Sequence, residues 1–146
     1  MKRRRLKFSD FYHNIIMNEV CEIYNVERDR VFLGSRQKNI IHAKRLYIYM
    51  LKEVFGLTLK EIGRVTNLHH ASIIHHHEKF QFFYKNYKQD EINFERVENR
   101  IIEVEVDEEI EGLERKLASI KKSLTKLYKI NKLKHERQER ENLLTE

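Results

Sequence analysis

The stretch Leu57-Thr58-Leu59-Lys60-Glu61-Ile62-Gly63-Arg64-Val65-Thr66-Asn67-Leu68-His69-His70-Ala71-Ser72-Ile73-Ile74-His75 decides the fold. Thr58 and Glu61 stand three apart just before an apolar run, the spacing of a capping box. The Thr58 hydroxyl takes an orphan backbone N–H, and the Glu61 carboxylate reaches back to the N-cap amide. Leu59, Ile62 and Val65 then recur at helical spacing for about two turns, until Thr66-Asn67-Leu68 interrupts them. From His69 or His70 the pattern resumes through Ile73, Ile74, His77, Phe80, Phe83, Tyr84 and Tyr87. A short helix, a turn of three or four residues and a longer helix make a helix-turn-helix.

Upstream of it, Ser9-Asp10 opens a helix whose stripe is Phe11, Ile15, Ile16, Val20, Cys21 and Tyr24, ending near Asn25. Val26 to Gly34 is turn-rich, with Val31, Phe32 and Leu33 able to make one or two helical turns. Gly34 to Asn39 reads as a polar, basic loop. Ile40, Ile41, Leu46, Ile48, Met50, Leu51 and Val54 form the next helix, stopped by Gly56. The 146 residues hold no proline, four glycines and 36% charged residues, a composition of exposed helix faces rather than frequent turns. The expected fold class is therefore all-α, and the composition argues against a sandwich or barrel.

Downstream, Val106, Ile110, Leu113, Leu117, Ile120, Leu124, Leu127 and Asn131 alternate steps of four and three, about three and a half heptads, before Lys134 breaks the seam. This predicts a coiled-coil helix, the alternative being a long helix folded back on the N-terminal domain. Gly112 weakens the helix by roughly 1 kcal/mol relative to alanine. Three segments follow: a basic arm over 1–11, a helix-turn-helix domain over 12–101, and a charged helix over 102–146.

Charge separates the same regions. Residues 1–88 carry 17 lysines and arginines against 8 acids, a net of +9, whereas 89–146 carry 12 against 15, a net of −3. The basic part predicts attraction to a polyanion, nucleic acid before an anionic membrane. No apolar run reaches the roughly 18 residues of a membrane span, and Met1 to Lys7 opens no signal sequence, so a soluble, cytoplasmic, nucleoid-associated protein is expected. Cys21 has no partner cysteine and sits among apolar residues, which predicts a buried core thiol. Five of eight histidines lie between His69 and His77, yet no two of them differ by three or four, so no metal site is expected. No glycine-flanked serine or activated cysteine suggests a nucleophile, and the acids of 103–114 read as a solvated face; the expectation is a protein that is not an enzyme and takes no cofactor.

Four blocks carry a family resemblance: Val20-Cys21-Glu22-Ile23-Tyr24-Asn25-Val26; Lys44-Arg45-Leu46-Tyr47-Ile48-Tyr49-Met50-Leu51; Leu57 to Gly63; and His70-Ala71-Ser72-Ile73-Ile74-His75. In order and spacing they resemble the C-terminal DNA-binding domain of the bacterial replication initiator DnaA, over about residues 12–101. The resemblance implies a compact helical domain, similar to Trp repressor in its core, that reads double-stranded DNA with the second helix of the motif. The initiator's ATPase module would need a P-loop, G-x-x-x-x-G-K-[ST], which this sequence lacks, so ATP is not an expected partner.

The resemblance also implies the site. His69, His70, Ala71 and Ser72 would enter the major groove, His70 matching the family's base-reading histidine and Ser72 standing for a threonine. His75 matches a further family histidine. Arg36, Lys38, His42, Lys44 and Arg45 match the loop and helix start that hold phosphates and send an arginine into the minor groove. Lys60 and Arg64 lie on the polar face of the motif's first helix, and Lys2-Arg3-Arg4-Arg5 is a candidate phosphate or minor-groove arm. The chain departs from the family before His70: a Gly-Gly-Arg-Asp run is replaced by Thr66-Asn67-Leu68-His69, one residue shorter, so the family's usual target box is not carried over. The expected function is duplex DNA binding by a replication or transcription regulator of bacterial, phage or mobile-element origin. A homodimer through 106–131 would double the contacted site. The alternative is a coiled-coil adaptor that binds a replication or initiator protein with only secondary DNA contact.

Overall fold

A computed structural model of the chain describes residues 6–145, so the Lys2-Arg3-Arg4-Arg5 cluster lies outside the described residues. Five helices follow one another: α1 (Asp10–Tyr24), α2 (Lys38–Glu53), α3 (Leu59–Thr66), α4 (His70–Asn86) and α5 (Lys88–Leu144), with a short 3-10 turn at Arg28–Arg30. Among the described residues there is no strand. They divide into two compact units, Met1–Val104 and Glu105–Glu146.

In the first unit α2 is the central element. Ala43, Leu46, Tyr47, Ile48, Met50 and Leu51 are fully buried, so this helix is apolar around most of its circumference. Such a helix must be covered on several sides. It packs against α1, through Ile16, Met17 and Val20, and against α4, through Ile73 and Phe80. Burying each such side chain contributes roughly 1.5–3 kcal/mol. The Tyr47 hydroxyl would be a buried orphan in this setting; it is hydrogen-bonded to the His13 ring. Asn25 ends α1 in the left-handed region at φ 54, a conformation asparagine tolerates. Gly56 turns the chain out of α2 at φ 64.

The motif that decides the fold forms as its chemistry dictates. The Glu61 backbone N–H donates to Thr58 Oγ1 at 3.2 Å, while the Thr58 N–H donates to Glu61 Oε2 at 3.4 Å. After α3, Thr66 holds the turn with one buried hydroxyl, which donates to the Ile62 carbonyl at 2.8 Å and accepts the Leu68 N–H at 3.3 Å. Asn67 is left-handed at φ 57, and its N–H bonds the Gly63 carbonyl at 2.8 Å. A Cβ on Gly63 would stand 3.3 Å from the Leu68 carbonyl oxygen, so glycine lets the turn close tightly on α3.

Only Tyr87, in extended conformation, separates α4 from α5. The start of α5 belongs to the first unit: Phe94, Val97 and Ile101 join its core, and the Asn93 amide donates to the Tyr24 hydroxyl at 3.5 Å. Arg96 pairs with Glu19 and Glu22 of α1 at 3.2 Å each, and Arg100 reaches Glu19 at 3.9 Å.

Several expectations are corrected. Residues 102–144 continue α5, which runs unbroken from Lys88. No proline or helix-ending glycine stands between the two parts, so nothing stops the ladder at 101. Within the segment read as an arm, Leu6 and Phe8 pack against the core, with Phe8 edge-on to Phe55 at 5.3 Å between centroids. The loop after Gly34 ends at Gln37, so Lys38 and Asn39 are already helical. Cys21 is half-buried, and burial pushes its thiol pKa up. In the second unit the seam residues from Val106 to Leu127 are all exposed, between 45% and 63%. No helix among the described residues is long and apolar enough to cross a membrane.

Candidate nucleic-acid interface

The start of α4 is the expected reading head, and it is open. His69, His70 and Ala71 are exposed, Ser72 is half-buried, and Ile73 immediately behind them is fully buried and anchors the helix to the core. His69 is the N-cap: its Nδ1 accepts the Ala71 backbone N–H at 3.1 Å. An accepting Nδ1 leaves the ring proton of a neutral imidazole on Nε2, so the exposed edge of His69 is a donor. Base N7 and O6 atoms and phosphate oxygens are acceptors, which is the complement. His70 and His75 are exposed on the same helix. Lys79, four residues beyond His75, lines one shallow surface hollow with it, together with Glu78 and Phe82. Sequence reading passed over Lys79 because a lone lysine beside Glu78 carries no motif.

On α3, Lys60 and Arg64 are exposed, and Arg36 and Lys38 are exposed at the loop and first turn of α2. Those four cations are available to a polyanion. The remaining members of the basic block are placed otherwise. Lys44 is the clearest correction: it is only 6% exposed, and its ammonium donates to the Leu33 carbonyl at 3.4 Å. Burial draws its pKa downward. It sits four residues before Ile48 and one after Ala43, on the buried side of α2, so helical geometry turns it inward where it ties down the loop.

His42 and Arg45 are half-buried around an aromatic cluster. His42 stacks on Tyr24 with centroids 6.0 Å apart and meets Phe83 at 5.9 Å. Burial first, then the Arg45 and Lys38 charges, lower its pKa against the opposing pull of Asp90. The Arg45 guanidinium lies over Phe83, 5.6 Å from the ring centroid, which fixes the orientation of a long side chain. Its Nε is buried without a hydrogen-bond partner. Phe83 is thus a supporting residue, hidden in sequence inside the ordinary α4 apolar stripe. His76 is also half-buried, its Nδ1 without a partner, and its pKa falls to about 4 through burial and then the neighbouring Lys44, Arg45 and His75 charges. His77 instead bonds Glu53 at 2.8 Å and stacks on Tyr49. Among the described residues no group of three or more histidine, cysteine, aspartate or glutamate side chains is placed to hold a metal ion.

Most of α1, all of α2 and α3, the turn and the open start of α4 lie inside residues 13–80, and that span matches the family model for the bacterial DnaA protein helix-turn-helix. Over residues 13–80 the chain is similar to the bacterial DnaA helix-turn-helix. The chain is 31% identical over 84 residues to the chromosomal replication initiator protein DnaA of Thermoanaerobacter sp. (strain X514), covering 58% of this chain and 18% of that protein. It is 32% identical over 77 residues to the same protein of Caldanaerobacter subterraneus subsp. tengcongensis, covering 53% and 17%. With the Leptospira biflexa initiator it shares 28% over 99 residues, covering 68% and 22%. The chain thus spans about a fifth of the length of these curated relatives. The family-model match ends at residue 80, before α5 begins at Lys88, whereas the 99-residue match to the Leptospira biflexa initiator extends into α5.

Proposed function

We propose that the DnaA-type domain binds double-stranded DNA in the cytoplasm, at the nucleoid, in replication initiation or the regulation of transcription. The observation that carries this reading is the exposed start of α4 inside the matched span, with a buried Ile73 holding it rigid. His69, His70, Ala71 and Ser72 would face base edges in the major groove, and His75 would lie near them. Arg36, Lys38, Lys60 and Arg64 would neutralise phosphates. His42 and Arg45 would act from their aromatic support, with Arg45 the member of that pair long enough to reach a groove. Lys44 holds the loop and touches no DNA in this reading. The exposed 106–131 seam would join two copies and so two DNA sites.

Selection of bound duplexes from a random pool tests the reading directly. One enriched motif is expected, and His70→Ala should lower affinity for it by about tenfold or more while leaving non-motif DNA nearly unaffected. Contact with about six phosphates predicts a log-log salt slope near −5, and Lys60→Ala should flatten it by about 1. A slope near zero with no retained duplex would overturn DNA binding and leave the adaptor reading.

A further inference from the structure

The exposed seam of α5 has a charge pattern that chooses how it pairs. Residues 103–114 carry seven acids and no base; residues 115–134 carry eight bases and no acid. The switch falls between Glu114 and Arg115, inside one continuous helix whose apolar residues from Val106 to Leu127 are all exposed. We propose that a second copy of this chain covers the seam in antiparallel orientation, with Leu117 of each copy against Ile120 of the other. This rests on the homodimer reading above and goes further, to orientation and register.

Heptad geometry makes the choice. With Val106 at d, the flanking charges are Asp107, Glu114 and Lys121 at e, and Glu109 and Lys116 at g. In a parallel pair each g residue faces the e residue of the next heptad on the partner. That sets Glu109 against Glu114 and Lys116 against Lys121, two like-charge contacts that symmetry doubles to four. It also lays the whole acidic segment beside its copy and the basic segment beside its copy. Antiparallel helices instead oppose e to e and g to g. In the register centred between Leu117 and Ile120, the apolar layers join Ile110 to Leu127 and Leu113 to Leu124, so the seam overlaps along its full length. Glu114 then faces Lys121 of the other copy, twice, and no like-charged e or g pair is formed. The acids of 103–114 lie along residues 123–134, whose four charges are all lysines. Asn131, which a parallel dimer would bury against itself, meets Val106 at the end of the seam. The points where each seam joins its DnaA-type unit fall at opposite ends, about 38 Å apart at the 1.5 Å rise of a helix.

The two orientations respond with opposite sign to the same substitutions, both at exposed positions outside the apolar layers. Sedimentation equilibrium of the full chain gives the dimer Kd, with circular dichroism confirming unchanged helix content. Glu114→Lys and Lys121→Glu should each raise Kd, by about three- to thirtyfold, because an attraction becomes a repulsion at two symmetric places. The double variant should return to within about twofold of the parent, since the pair is restored with signs exchanged. A parallel dimer predicts that each single change lowers Kd, because Glu114→Lys sets a cation against Glu109 and Lys121→Glu sets an anion against Lys116. Tightening in either variant, or no change in both, overturns the antiparallel assignment while leaving a dimer. A parent that stays monomeric up to about 100 μM overturns the dimer itself.

Discussion

Two parts of one helix differ in a way that periodicity does not reveal. In α5, Val97 and Ile101 are buried to within 1% of completeness, whereas Ile110, Leu113 and Leu117 are about half exposed, although all five recur at helical spacing. Spacing identifies which face a helix would bury; it says nothing about whether the covering surface is in the same chain. In the first unit the cover is internal, from α1, α2 and α4. In the second the same helical spacing leaves the apolar stripe exposed.

The sharpest way to break that contrast is to truncate one residue on each side of it. Phe80→Ala removes a ring buried among Tyr49 and its neighbours, and should cost about 3–5 kcal/mol of unfolding free energy. Leu117→Ala should leave the first unit's urea midpoint unchanged. Near-UV circular dichroism reads that unit, since six of the seven tyrosines precede residue 105. An equal loss from both would show that the seam is already part of the first unit's core.

A pH series sharpens the contrast from the electrostatic side. His76 titrates near 4 when folded against about 6.5 when free, and burial lowers His13 and His42 as well. A histidine with a depressed folded pKa binds its proton better in the unfolded chain, so its contribution is complete above about 6.5 and lost as pH falls towards 4. The first unit should lose roughly 1–3 kcal/mol over that window, allowing for the partial exposure of His76. His76→Gln should make the loss smaller; an unchanged slope would remove His76 from the account.

The smallest expected effect belongs to the second unit alone. A Cβ at Gly112 meets no atom within 4 Å, and the position lies off the seam. Gly112→Ala should therefore strengthen that helix by about 0.5–1 kcal/mol, read as added thermal stability of the ellipticity signal, with no change at the first unit's midpoint.

Legibility followed locality. The capping box at Thr58 and Glu61, the interruption at Thr66-Asn67-Leu68 and the helix resuming at His69 or His70 were all readable because each depends on residues within four positions. The exposed start of α4 was legible for the same reason, being the first turn of a helix. Lys44 was misread because the family pattern marks it as basic, while its direction is set by the facing of α2 and by the Leu33 carbonyl eleven residues away. The Phe83 shelf under Arg45 joins residues 38 apart, and the pairing of Arg96 with Glu19 joins residues 77 apart. No local pattern announces such pairs. The change in composition near residue 102 does not interrupt α5, because a helix ladder responds only to backbone chemistry.

The imidazole that caps α4 has a consequence for what can replace it. The Ala71 N–H needs the lone pair on His69 Nδ1. An asparagine or aspartate at 69 would keep that cap through a side-chain oxygen, yet each would take the ring and its outward edge away from the exposed tip of α4. One side chain thus both fastens the first turn and sets the chemistry of the surface in front of it.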